Sequence, residues 1–219
     1  MKDLFKFNNA SFFTKETLSQ VIGENDAALS ANIKRWLKKD FLIQLKKGVY
    51  VTKDYYQSLP DKSSYIEFIA NILKQPSYLS GEYILQKYGM LTESVFALTS
   101  VTRKKTRTYQ NKLGVFIYSN IKDELFTGFK IFNRGGFEIK EASKAKALFD
   151  FLYLRLWRLP EITKEIIDSY RLNLGEFSST DFSEFESFTE LAAIRKFKKL
   201  STILKEMAYG RWGASGAGH

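Results

Sequence analysis

Lysine and arginine are the side chains whose number and spacing carry chemistry in this sequence, and the chemistry they offer is phosphate binding. Residues 27 to 53 hold Lys34, Arg35, Lys38, Lys39, Lys46, Lys47 and Lys53 against Asp40 alone. A surface that needed only solubility would mix its signs. A second cluster, Arg103-Lys104-Lys105-Thr106-Arg107, opens a stretch that also contains Lys112 and Lys122 and has no acid before Asp123. Set in a hairpin loop, it is suited to a second phosphate contact or to an acidic partner surface. An ordinary exposed loop would carry the same charges.

Other chemistry is scarce. The lone histidine is His219, at the end of a Gly-rich segment with no periodicity, and cysteine is absent. Ser-His-Asp and Cys-His nucleophiles, His- or Cys-ligated zinc and disulfides are therefore outside its means. Asn133-Arg134-Gly135-Gly136 lacks the strand, Gly-rich loop and helix order of a phosphate cradle and reads as a hairpin turn. The acids of Asp181-Phe-Ser-Glu184-Phe-Glu186 lack the ligand spacing of a calcium loop and read as a capped amphipathic turn. The expectation is no catalytic residue, no metal and no cofactor, in a protein that is not an enzyme.

The elements that must hold the cations follow from periodicity. Leu29, Ile33, Trp36 and Leu37 recur at i, i+4, i+7 and i+8 and share one helix face, while Lys34, Arg35 and Lys38 fall on another. Ser30 is expected to cap this helix, which stops at Lys39-Asp40. Leu42, Ile43, Leu45, Val49 and Val51 then form a hairpin broken by Lys46-Lys47-Gly48. Upstream, Thr14 to Ile22 predicts a short helix with Leu18, Val21 and Ile22 inward, followed by a turn at Gly23 to Asp26. Helix, turn, basic helix and hairpin come in the order of a winged helix-turn-helix.

Asp54 to Ser64, with Pro60 in a polar cluster, marks the expected boundary between a domain over 1–58 and a second over 59–209, with 210–219 as an unstructured tail. In the second, helices are expected over 65–74, over 81–88 capped by Ser80 and ended by Gly89, and over 142–159. Between them, 95–140 holds short β-branched and aromatic runs that suggest a small antiparallel sheet. Further helices are placed around 161–174, 181–187 and 188–208. The class is α+β.

With Lys+Arg 34 against Asp+Glu 24 and a net charge of +10, the chain favours polyanionic partners. Its longest apolar run, Ala147 to Pro160, contains Asp150, Arg155 and Arg158 and is too short to span a bilayer, and MKDLFKFNNASFF has no uninterrupted apolar leader. A cytoplasmic protein without a membrane partner is expected.

The hairpin LIQLKKGVYV, then PSYLSGEYILQKYGM, VFALTSVTRKKTRTY and EASKAKALFDFLYL, in this order and spacing, resemble the AbiEi family of antitoxins and transcriptional regulators of bacterial abortive-infection systems. The resemblance covers residues from about 12 to about 160. It implies an autorepressor whose N-terminal winged helix binds inverted-repeat operator DNA. It implies, too, a C-terminal domain that antagonises a nucleotidyltransferase-type toxin without a stable complex. The DNA-reading positions would be Ser30, Asn32, Lys34, Arg35 and Lys38, with Lys39 beside them and Lys46 and Lys47 in the wing. Asn32 suits adenine and Arg35 guanine. Arg103, Lys104, Lys105 and Arg107 would form the antitoxin patch or the second phosphate contact. A stand-alone DNA-binding regulator with a ligand-sensing or dimerisation domain is the alternative, and an enzyme acting on nucleic acid is a third class.

Overall fold

The structure, a computed structural model, describes the backbone of residues 4–215 and side chains as far as Ala208. Strand β1 (Phe13–Thr14) leads into helix α1 (Lys15–Ile22), whose cap is Thr14: its hydroxyl accepts from the Thr17 amide. Gly23 ends α1 in the left-handed region at φ 72°, where glycine is strain-free. Leu18 is fully buried, but Val21 faces solvent, against the expectation that it points inward.

Helix α2 spans Asp26–Lys38 and is capped by Asn25, whose side-chain Oδ1 accepts from the Ala28 amide. Ser30 is not the cap; it lies inside the helix, because nothing between Asn25 and Ser30 breaks a helix and Asn is among the best capping residues. Leu29, Ile33 and Trp36 are buried as the periodicity requires, with Leu37 at the margin. After Asp40, at φ 60°, the chain enters strands β2 (Leu42–Lys46) and β3 (Val49–Thr52), joined through Gly48. These form a three-stranded antiparallel sheet, ordered β1-β3-β2.

The chain continues through α3 (Lys53–Ser58), α4 (Lys62–Leu73), β4 (Ser77–Leu79), α5 (Glu82–Lys87), β5 (Ala97–Thr102), β6 (Arg107–Asn111), β7 (Gly114–Asn120), β8 (Phe129–Arg134) and β9 (Phe137–Ala142). Four helices follow: α6 (Lys144–Leu156), α7 (Lys164–Asp168), α8 (Ser179–Ala192) and α9 (Arg195–Ser215). The second sheet is six-stranded and mixed, in the order β6-β7-β5-β4-β9-β8, with β4 parallel to β9 and β5 parallel to β7. This corrects the small antiparallel sheet expected from sequence. The missing piece was β4, three residues buried on both faces, which shows no alternation and joins the two hairpins into one sheet.

Ser80 does not cap α5. Its hydroxyl donates to the Asp150 carboxylate at 2.7 Å, and Tyr78 Oη (3.0 Å) and Lys146 Nζ (2.5 Å) donate to the same group. Lys146 and Asp150 are both wholly buried on α6, so this cluster fixes α6 against β4. Beyond 160 the expected boundaries shift. A Ser178–Asp181 capping box starts α8 earlier, and Ala193 at φ 52° breaks the chain where one helix was expected from 188 to 208. Helix α9 reaches into the 210–219 segment expected to form a tail, and the end of that segment, with His219, lies outside the described residues.

Hairpin β2–β3 stands between two apolar clusters. Leu42 and Tyr50 face Leu18, Leu29, Ile33 and Trp36, whereas Ile43, Leu45, Val49 and Val51 belong to the cluster that includes Tyr65, Ile69 and Phe137. Strand alternation sends successive side chains to opposite faces, so one hairpin serves both cores. Tyr65 Oη also donates to the Ser11 carbonyl (2.7 Å) and Asn111 Nδ2 to the Leu45 carbonyl (2.8 Å). Among the described residues, no helix is long and apolar enough to cross a membrane.

Candidate nucleic-acid interface

Of the residues singled out from sequence, Ser30, Lys34, Lys46, Lys47 and Arg107 line two adjoining depressions around the tip of hairpin β2–β3, whereas Lys38, Lys39, Arg103, Lys104 and Lys105 lie outside both. The first, about 590 Å³, lies between the start of α1, helix α2 and the hairpin, and its lining includes Lys15, Ser30, Lys34 and Lys47. Ser30, Lys34 and Leu37 are at i, i+4 and i+7, so a single face of α2 supplies its wall. The second, about 810 Å³, lies between β2 and the edge strand β6 and includes Lys46, Lys47, Arg107, Gln110 and Lys112. Leu37, Gln44 and Lys47 line both. Arg107, the last member of the second basic cluster, thus meets Lys46 and Lys47 of the first, and the linings form one cationic stripe in which Glu16 is the lone acid.

The individual side chains are held differently. Lys34, Lys38, Lys39 and Lys47 are exposed and make no ion pair among the described residues. Lys46 turns inward and donates to the Leu73 carbonyl at 2.7 Å. Burial, followed by the charges of Lys104 and Lys74, lowers its pKa. A cation disfavoured by its neighbours gains from any anion brought near it.

Asn32 and Arg35 line neither depression. Asn32 Nδ2 donates to Glu24 Oε2 at 2.6 Å, and Arg35 Nη2 donates to Asn32 Oδ1 at 2.7 Å. Both ends of the Asn32 amide are occupied, which does not suit the bidentate adenine contact expected of it.

In the second cluster, Arg103 lies over the Phe126 ring at 5.3 Å and Arg107 over Tyr109 at 5.6 Å. The Lys104 amide donates to the Thr102 hydroxyl, and Lys105 is exposed. Lys112 pairs with Asp40, which also takes Lys53, and these two cations hold the Asp40 carboxyl down to about 2.

Sequence reasoning missed Lys15 and Gln44, and it counted Lys112 only as part of the second basic stretch. Lys15 pairs with Asp26 at 2.6 Å across the starts of α1 and α2. The signal for Gln44 was available, since it is the exposed member of the alternating LIQLK strand. Lys112 lies in the turn between β6 and β7, and its place beside β2 is set by the fold.

The acids considered as a metal site have other partners. Asp181 closes the α8 capping box, Glu184 accepts from Ser143 at 2.8 Å, and Glu186 accepts from Ser201 and Lys205 at 2.8 and 2.7 Å. Arg134, in the Gly-turn segment, reaches Glu67 at 3.1 Å and also Glu141, while Gly135 and Gly136 make the β8–β9 turn at φ 56° and 82°. Comparison with protein-family models and with curated proteins gives no match to this chain.

Proposed function

We propose that the chain is an antitoxin and autorepressor of a two-gene toxin–antitoxin operon, in which α1, α2 and hairpin β2–β3 act as a winged helix-turn-helix on double-stranded operator DNA. The observation that carries the DNA half is the stripe running from Lys34 on α2 around Lys47 to Arg107 on β6. Its cations would neutralise phosphates and release counterions, while α2 enters the major groove. The antitoxin half rests on the AbiEi resemblance, with a nucleotidyltransferase-type toxin as the antagonised partner.

Because hairpin β2–β3 shares its core with the second part, separation-of-function substitutions test this better than truncation. The test is co-expression of the operon's nucleotidyltransferase-like gene with the full chain or with Lys34→Ala/Lys38→Ala/Lys47→Ala, scoring growth and a reporter driven by the operon's promoter. Both proteins should restore growth, and the native chain alone should repress. Failure of both to restore growth removes the antitoxin reading and leaves a DNA-binding regulator. Absence of repression by the native chain removes the DNA reading.

A further inference from the structure

Glu24 lies in the turn between Gly23, which closes α1, and Asn25, which caps α2. An acid there, beside a helix expected to approach a polyanion, is repulsive unless it has another task. Its geometry supplies one. A carboxylate accepts and never donates, so the 2.6 Å contact from Asn32 orients the amide with its NH₂ toward Glu24 and its oxygen toward Arg35. That oxygen takes one Arg35 Nη2 proton at 2.7 Å. The guanidinium has five donors in a rigid fork, so most of it stays available once one Nη2 proton is engaged. An arginine gives up rotamer freedom when it is fixed, and the Asn32 contact already restricts Arg35 in the free protein.

We infer that Glu24 and Asn32 are positioning residues that present the Arg35 guanidinium as the base-reading group of α2, leaving Lys34, Lys38 and Lys47 to bind phosphate. This rests on the DNA-binding reading above and assigns its sequence preference to a three-residue relay. Base preference and affinity then reside in different side chains.

The test is equilibrium binding of the full chain to a duplex carrying its own promoter region and to every single-base variant of it, in a salt series. Arg35→Ala should erase a preference of roughly 5- to 150-fold at one position, the range of a bidentate guanine contact. Glu24→Ala and Asn32→Ala should reduce the preference at that same position at least about threefold, with the salt slope unchanged. Glu24→Gln removes the charge but keeps an oxygen that accepts from Asn32, and should retain the preference within about twofold. If Glu24→Ala and Glu24→Gln instead strengthen binding to all duplexes alike with the preference intact, Glu24 is a repulsive charge and the inference is overturned. Preference surviving in Arg35→Ala overturns it as well. A native chain that binds duplex with no base preference anywhere overturns the underlying operator-binding reading, a different failure.

Discussion

Asp40 and Asp150 show how differently one side-chain type behaves in this molecule. Asp40 sits in a left-handed turn with Lys53 and Lys112 as partners, and its folded pKa of about 2 is below its usual 3.8. A depressed carboxylate contributes stability above its unfolded pKa and loses it as pH falls through the folded value. Asn tolerates the same φ, so Asp40→Asn isolates the charge: it should melt below the native protein at pH 6, with the two curves converging near pH 2. Parallel curves throughout would show that Asp40 stabilises nothing through its charge. Asp150 is the opposite case, its pKa raised by burial despite Lys146, Ser80 and Tyr78. Lys146→Met would leave that carboxylate buried without its cation, at a cost of about 3–5 kcal/mol in urea denaturation. The folded state would then bind a proton before the unfolded state does, so the deficit should narrow on acidification from pH 7 toward pH 4.5. A deficit independent of pH would assign the loss to packing.

Among the elements, local chemistry was legible and long-range pairing was not. The basic helix, its apolar face, the Gly48 hairpin and the Gly135-Gly136 turn each follow from a period or a left-handed glycine. Strand β4 and the parallel pairings did not, because neighbours such as Leu79 and Glu141 are brought together by the whole chain rather than by a turn. The site was half legible for the same reason: both basic clusters were visible, but the meeting of Arg107 and Lys112 with Lys46 and Lys47 across the β2–β6 cleft was not. Capping was misplaced by five positions, from Asn25 to Ser30, because both residues are good caps and only the turn after Gly23 decides between them. Asn25→Ala should therefore destabilise the protein by about 1 kcal/mol, whereas Ser30→Ala should stay within roughly 0.5 kcal/mol of native. Chemical denaturation of both variants decides it, and the reverse ranking would move the start of α2 inward.

At the scale of the molecule, the question is whether the α1–α2 unit folds apart from the rest. Ile43, Leu45, Val49 and Val51 lie in the larger core while Leu42 and Tyr50 lie in the smaller, so neither face of the hairpin can be uncovered without exposing apolar surface to water. Lys46, Asn111 and the Asp40–Lys112 pair add polar ties across the same junction. Burying a side chain of this size is worth about 1.5–3 kcal/mol, so the shared face is comparable with the whole stability of a small domain, roughly 5–15 kcal/mol. Unfolding should then be cooperative across the boundary. Trp36, buried in the smaller cluster on α2, reports on that cluster once Trp157 and Trp212 are replaced by Phe. Its fluorescence midpoint in urea should coincide with the far-UV circular dichroism midpoint, which is dominated by the helices after residue 60. A Trp36 transition at distinctly lower urea would mean that the shared hairpin couples the cores too weakly to unite them, and that the α1–α2 unit can open alone. Coincidence would mean that a mutation in the larger core also lowers the population of folded hairpin, and with it the cationic stripe on which the proposed DNA contact rests, so that the two halves of the molecule stand or fall together.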